Sequence, residues 1–135
     1  MPQVDTKERD GILIVHPVKA DTKVCAGEIG CLDADGYLVP ASVATGLKAV
    51  GRIEETVTGG TTDGEEKALV KKGVFLLKNS SADKVTRAHI ESDCYLSGAA
   101  EVAATDGKGS GSAPTRSKAG KVIDVEGDFV AVRFD

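Results

Sequence analysis

From residue 12 onward the chain repeats one pattern: short apolar or alternating runs, each bounded by glycine, proline or acidic turn residues. The runs are 12–15, 28–32, 37–39, 47–53, 68–77, 102–104, 121–125 and 129–134. Their lengths and period of two predict strands rather than helices. Eight strands at this spacing predict an all-β sandwich or barrel. Helix is expected to be minor, since the single start signal, at Thr86, is followed by room for about one turn before the apolar spacing fails.

The turns are explicit in the sequence. Asp35-Gly36, Asp63-Gly64, Asp106-Gly107 and Glu126-Gly127-Asp128 each separate two runs, as expected where a tight turn needs positive φ. The last of these predicts a hairpin between 121–125 and 129–134. Within its second strand, Val130, Val132 and Phe134 are expected to face the core, and Phe129, Ala131 and Arg133 the opposite side. The stretch 106–118 is rich in Gly, Ser and Pro with little to bury, and reads as a mobile surface loop. The stretch from Thr58 to Glu66 reads as a second one.

Residues 1–11 break the pattern. Only Met1, Pro2 and Val4 are apolar there, which offers a few kcal/mol of burial at best, whereas ordering the backbone costs about 1–2 kcal/mol per residue. The segment is therefore expected to be an extended arm that orders only on a sheet or a partner. Residues 12–135 are expected to form a single β domain, which suits a chain of 135 residues.

Composition narrows the function classes. Sixteen valines and six isoleucines beside sixteen glycines fit short strands and turns. Hydrophobic residues at 41% and charged residues at 28% are the balance of a globular protein, and a run such as 12–15 falls far short of the roughly 20 residues of a spanning helix. No membrane partner is expected. The net charge of -4 and pI near 5.2 argue against nucleic acid. The opening MPQVDTKERDG has neither the basic start nor the apolar run of a secretory signal, and Cys25, Cys31 and Cys94, odd in number and without CxxC spacing, suit reduced core thiols made in a cytoplasm.

A search for catalytic or ligand-binding patterns yields little. His16 and His89 stand apart in sequence and from the cysteines, so neither a metal set nor a nucleophile with its base is marked; no metal and no cofactor are expected. The GKGSGS stretch from Gly107 lacks the spacing of a phosphate loop, and no GxSxG elbow occurs. The acidic pairs Asp33/Asp35, Glu54/Glu55 and Glu65/Glu66 sit at strand ends; Asp33-Ala34-Asp35-Gly36 begins like a calcium loop but returns at once to strand, and a solvated turn is the reading adopted. Five aromatic residues and no Trp leave little for stacking on sugars or bases.

Five blocks in order, AGEIGCLDADGYLVPAS from Ala26, GLKAVGRIEETV from Gly46, VKKGVFLLKNS from Val70, VTRAHIESDCYL from Val85 and SKAGKVIDVEGDFVAVRF from Ser117, carry a resemblance over more than 100 residues. They resemble the small capsid decoration, or cement, proteins of bacteriophages, with a departure at 107–112 that looks like a local insertion. The likeness lies in hydrophobic and glycine placement, with no catalytic signature. It implies a jelly-roll-like sandwich or barrel, present as a dimer or trimer, that binds the major capsid protein on the outer capsid surface and locks subunits against internal pressure. No enzymatic activity is implied.

On that reading the arm, 2–10, reaches onto a neighbouring subunit, with Pro2, Gln3, Val4, Lys7 and Arg9 as its contact residues, and repeated weak contacts across a lattice supply the affinity. Two other readings make different demands. A small β-barrel enzyme or carrier needs folding to bring His16, His89, Cys25, Cys31 and Cys94 together. A tail or connector protein needs only another β scaffold in the virion.

Overall fold

The computed structural model describes residues 13–108, 111 and 113–135. Twelve strands account for its regular structure: β1 (Leu13–Pro17), β2 (Lys23–Val24), β3 (Ile29–Leu32), β4 (Leu38–Pro40), β5 (Lys48–Ile53), β6 (Val57–Thr58), β7 (Lys67–Lys71), β8 (Gly73–Asn79), β9 (Asp93–Gly98), β10 (Glu101–Ala103), β11 (Lys118–Glu126) and β12 (Phe129–Phe134). A single 3-10 turn, Arg87–His89, lies where the Thr86 start signal placed it. The protein is all-β, as expected.

The strand list differs from the sequence expectation in two instructive ways. The run 68–77 is two strands in different sheets. It breaks at Lys72, where Gly73 takes a φ of +146° that a side chain would resist, and the chain turns from one sheet into the other. Conversely β9 lies outside the predicted runs, because in Asp-Cys-Tyr-Leu-Ser-Gly only Cys94, Tyr95 and Leu96 favour a strand, flanked by the turn residues Asp93 and Ser97-Gly98. β9 is nonetheless the strand that completes a barrel.

Five strands form an open antiparallel sheet in the order β1-β7-β5-β3-β4, and five close into a barrel in the order β10-β8-β12-β11-β9. β10 closes the ring by pairing parallel with β8 and antiparallel with β9. Bulges in the β9–β10, β11–β12 and β9–β11 ladders supply the local bending that closing so small a sheet requires. β2 and β6 add a two-stranded ladder, Val24 opposite Val57.

Alternation explains the cores. On β12, Val130, Val132 and Phe134 are buried as predicted. They meet Leu77, Cys94, Leu96, Val102 and Val122 from the barrel, and Ile29 and Cys31 from β3 of the open sheet. A second cluster, Val18, Val24, Leu38, Ile53, Ala68 and Val70, lies under the open sheet. Full burial contributes about 1.5–3 kcal/mol for each Val, Leu or Ile.

Polar ties join sheet and barrel. Ile29 N–H donates to Ala99 O at 2.7 Å. Ser117 Oγ donates to Ala44 O at 2.6 Å and accepts from Leu47 N–H at 3.0 Å. The Arg52 guanidinium, fixed by Glu54 at 2.7 Å, lies 4.3 Å above the Phe75 ring of β8, a cation–π contact across the junction. Within the open sheet β5 and β7 approach so closely at Gly51 that a Cβ there would lie 2.3 Å from Lys71 O.

Candidate interaction surface

Of the five residues of the enzyme or carrier reading, Cys31 and Cys94 share one core cluster, and His16, His89 and Cys25 lie outside it. His16 sits on β1 opposite Ala68 in the open sheet, and burial, with the charge of Lys72, holds its pKa below the ordinary value. His89 closes the 3-10 turn, its Nδ1 accepting the Thr86 N–H at 2.9 Å. Cys31 and Cys94 are core residues whose thiols burial pushes up to about 12 and about 11. Cys25 is half-buried. Among the described residues no three His, Cys, Asp or Glu side chains converge as a metal site.

Two of the acidic pairs are used by their own turns or neighbours. Asp33 Oδ1 accepts the N–H groups of Asp35 and Tyr37, both at 3.0 Å, and Oδ2 meets Lys19 Nζ at 3.2 Å. The Tyr37 N–H, aided by Lys19 and the Asp35 N–H, holds this carboxyl below the usual range, together outweighing the opposing effect of burial. The solvated-turn reading of Asp33-Ala34-Asp35-Gly36 thus has a mechanism. Glu54 is committed to Arg52, and Glu55 Oε1 accepts the Leu69 N–H at 3.0 Å.

Two side chains organise the loops at one end of the barrel. Asn79, 6% exposed at the end of β8, receives the Val85 N–H at 2.9 Å and donates to Val85 O at 2.8 Å, like one rung of a ladder. Asp83 Oδ2 accepts from the Thr105 N–H and hydroxyl and from Arg116 Nη1 at 2.7 Å. Burial raises the Asp83 pKa, but the Thr105 and Arg116 bonds outweigh it and hold the carboxylate ionised. These contacts, with Thr115 and Arg116 N–H on Asp106 O, pin both ends of the 106–118 loop. Beside them lies a cleft of about 370 Å³ lined by Lys78, Asn79, Ser80, Ser81, Lys84 and Asp128. Its one buried amide, that of Asn79, is already satisfied by Val85.

Two surfaces stand out instead. β1 is an edge strand: it pairs with β7 on one side, and among the described residues no backbone hydrogen bond reaches its other side. It also exposes Leu13 (44%) and Val15 (56%). An open apolar edge is a template for another strand. The second surface is the outer face of β8 and β12, where Val74 (51%), Leu76 (56%) and Phe129 (50%) surround Ala131. Sequence reasoning placed Phe129 and Ala131 on the side away from the core but missed the patch. Its signal was the Val-Phe-Leu-Leu run of β8, apolar on both faces in a strand that needs only one dry face.

The proposed arm contacts, Pro2, Gln3, Val4, Lys7 and Arg9, lie outside the described residues. β1 begins at Leu13, the first described residue. No family model, curated protein or solved structure matches the chain.

Proposed function

We propose that this chain is a structural protein of a bacteriophage virion that decorates the outer capsid surface and bridges major capsid subunits. The observation that carries this reading is the open edge of β1, with Leu13 and Val15 exposed. Strand addition gains backbone hydrogen bonds without reactive groups, and apolar side chains alternating along the edge give it register. The five sequence blocks described above support the same reading. In a lattice each further contact is intramolecular, so an edge of modest affinity suffices.

The test is binding of the purified protein to phage heads that lack it. Saturable decoration is expected, with occupancy reduced by deletion of residues 2–10 and by Val15→Asp. Absence of binding to heads overturns the assignment; unchanged occupancy after the deletion overturns the role of the arm. Labelled virions examined by negative stain should carry label over the whole head. Label confined to the tail or to one vertex would point to a tail or connector protein.

A further inference from the structure

The outer face of β8, β12 and β11 has an order that suits a second copy of this chain. Read from the register, its three rows are Val74, Arg133 and Lys121; Leu76, Ala131 and Asp124; and Lys78, Phe129 and Glu126. The middle of the face is apolar and, at Ala131, low. One end of the β11 column is basic and the other acidic. Asp124 is already paired with Arg87 at 3.2 Å. Arg133 is paired with Asp135, its Nε 3.2 Å from Oδ1 but buried and without a hydrogen bond.

We infer that two copies dock through this face about a two-fold axis lying in the interface and running across the strands through the Leu76 and Ala131 row. That operation reverses strand direction. It sets Leu76 on Leu76 of the second copy, Arg133 over the Phe129 ring of the second copy, Lys121 opposite Glu126 of the second copy and Val74 opposite Lys78 of the second copy, while Asp124 faces Asp124 of the second copy with each already paired to Arg87 of its own chain. Each off-axis pairing occurs twice, as an isologous interface requires. An axis along the strands would instead set Arg133 on Arg133 and Leu76 on Asp124; each arrangement has one like-charged pair on its axis and two opposite-charged pairs off it, so it is keeping Leu76 on Leu76 rather than on a carboxylate that selects the first.

The sizes are compatible. Three half-exposed side chains leave on the order of 250 Å² of apolar surface per copy, about a third of the roughly 800 Å² per partner in a stable interface. The surrounding Lys78, Lys121, Arg133 and Glu126 side chains supply the rest as the rim. The inference does not rest on the capsid reading, because β1 belongs to the other sheet and its edge remains open to another partner.

Sedimentation velocity over a wide concentration range, with circular dichroism to confirm the fold, tests it on the full chain. A reversible dimer is expected. Leu76→Asp, at an exposed position, should leave the spectrum unchanged and weaken dimerisation at least tenfold. Lys121→Glu and Glu126→Lys should each weaken it, and the double variant should recover most of the loss, a result that an unrelated dimer face would not give. A monomer at all concentrations overturns the inference, as does a dimer indifferent to Leu76→Asp. Head binding is scored separately: a monomeric wild type whose binding to heads is abolished by Leu76→Asp would identify the face as a capsid contact and overturn the second-copy assignment while leaving the capsid reading intact.

Discussion

Asn79 offers the sharpest test of how the barrel end is held together. Its amide makes both bonds to the backbone of Val85, which is fully buried, and thereby fixes the 80–85 crossing between β8 and the 3-10 turn. Replacing it by Ala strands a buried N–H and a buried C=O. Each unsatisfied group costs about 1–3 kcal/mol. Partial hydration through the adjoining cleft lowers the total, so a loss of about 3 kcal/mol is expected for Asn79→Ala. At about 3–4 °C per kcal/mol for a domain of this size, the melting temperature should fall by roughly 10 °C.

A second substitution at the same position separates lost bonds from lost packing. Asn79→Asp keeps the shape, and its protonated carboxyl can accept from the Val85 N–H and donate to Val85 O. The ionised form cannot donate and is poorly solvated, so its folded-state pKa should lie above the ordinary carboxylate value. A raised folded pKa contributes stability that is complete below the unfolded pKa and is lost as pH rises through the folded one. Asn79→Asp should therefore approach the wild type near pH 3 and fall behind it toward pH 7. Urea titrations of both variants and the wild type across this range provide the assay. A cost below about 1 kcal/mol for Asn79→Ala, or a pH-independent gap for Asn79→Asp, would refute the ladder-rung account.

Other expectations follow from single contacts. Gly51→Ala places a Cβ against Lys71 O at a φ of +145° and should cost about 2 kcal/mol or more in chemical denaturation, against roughly 1 kcal/mol for Gly36→Ala, where φ is +87° but nothing lies within 4 Å of the added Cβ. His16, held below its ordinary pKa by burial and Lys72, binds protons more readily in the unfolded chain. Stability should be full above about pH 6.5 and decline as pH falls from there through the depressed folded value, and His16→Gln should flatten the profile in that window. Cys25 should react with a thiol reagent in the native protein, while Cys31 and Cys94, buried and with raised pKa values, should react only after unfolding. Three fast thiols in the native state would contradict the packing of the barrel core.

Much of this fold is legible without coordinates because strand and turn signals are local. The period of two in 129–134 fixes which side of β12 carries Val130, Val132 and Phe134, since a strand with one dry face has a single consistent register. Asp35-Gly36 and Glu126-Gly127-Asp128 mark turns because their backbone needs are met by those residues alone. Local patterning also places Phe129 away from the core. What it leaves open is whether that outer face is wet or covered, because the answer depends on Val74 and Leu76, about fifty residues away in sequence and beside β12 only through strand pairing.

Tertiary structure decided the rest for the same reason. Sequence assigned the all-β class, the closing hairpin, the single helical turn and the scarcity of chemistry-bearing motifs. Only the pairing of distant strands could recruit Asp93–Gly98 to complete a barrel, divide 68–77 between two sheets, and expose β1 as an edge. Periodicity reports what each residue does relative to its own strand. Closure, edges and surface patches are properties of which strands lie side by side, and that is set by long-range packing against a shared core.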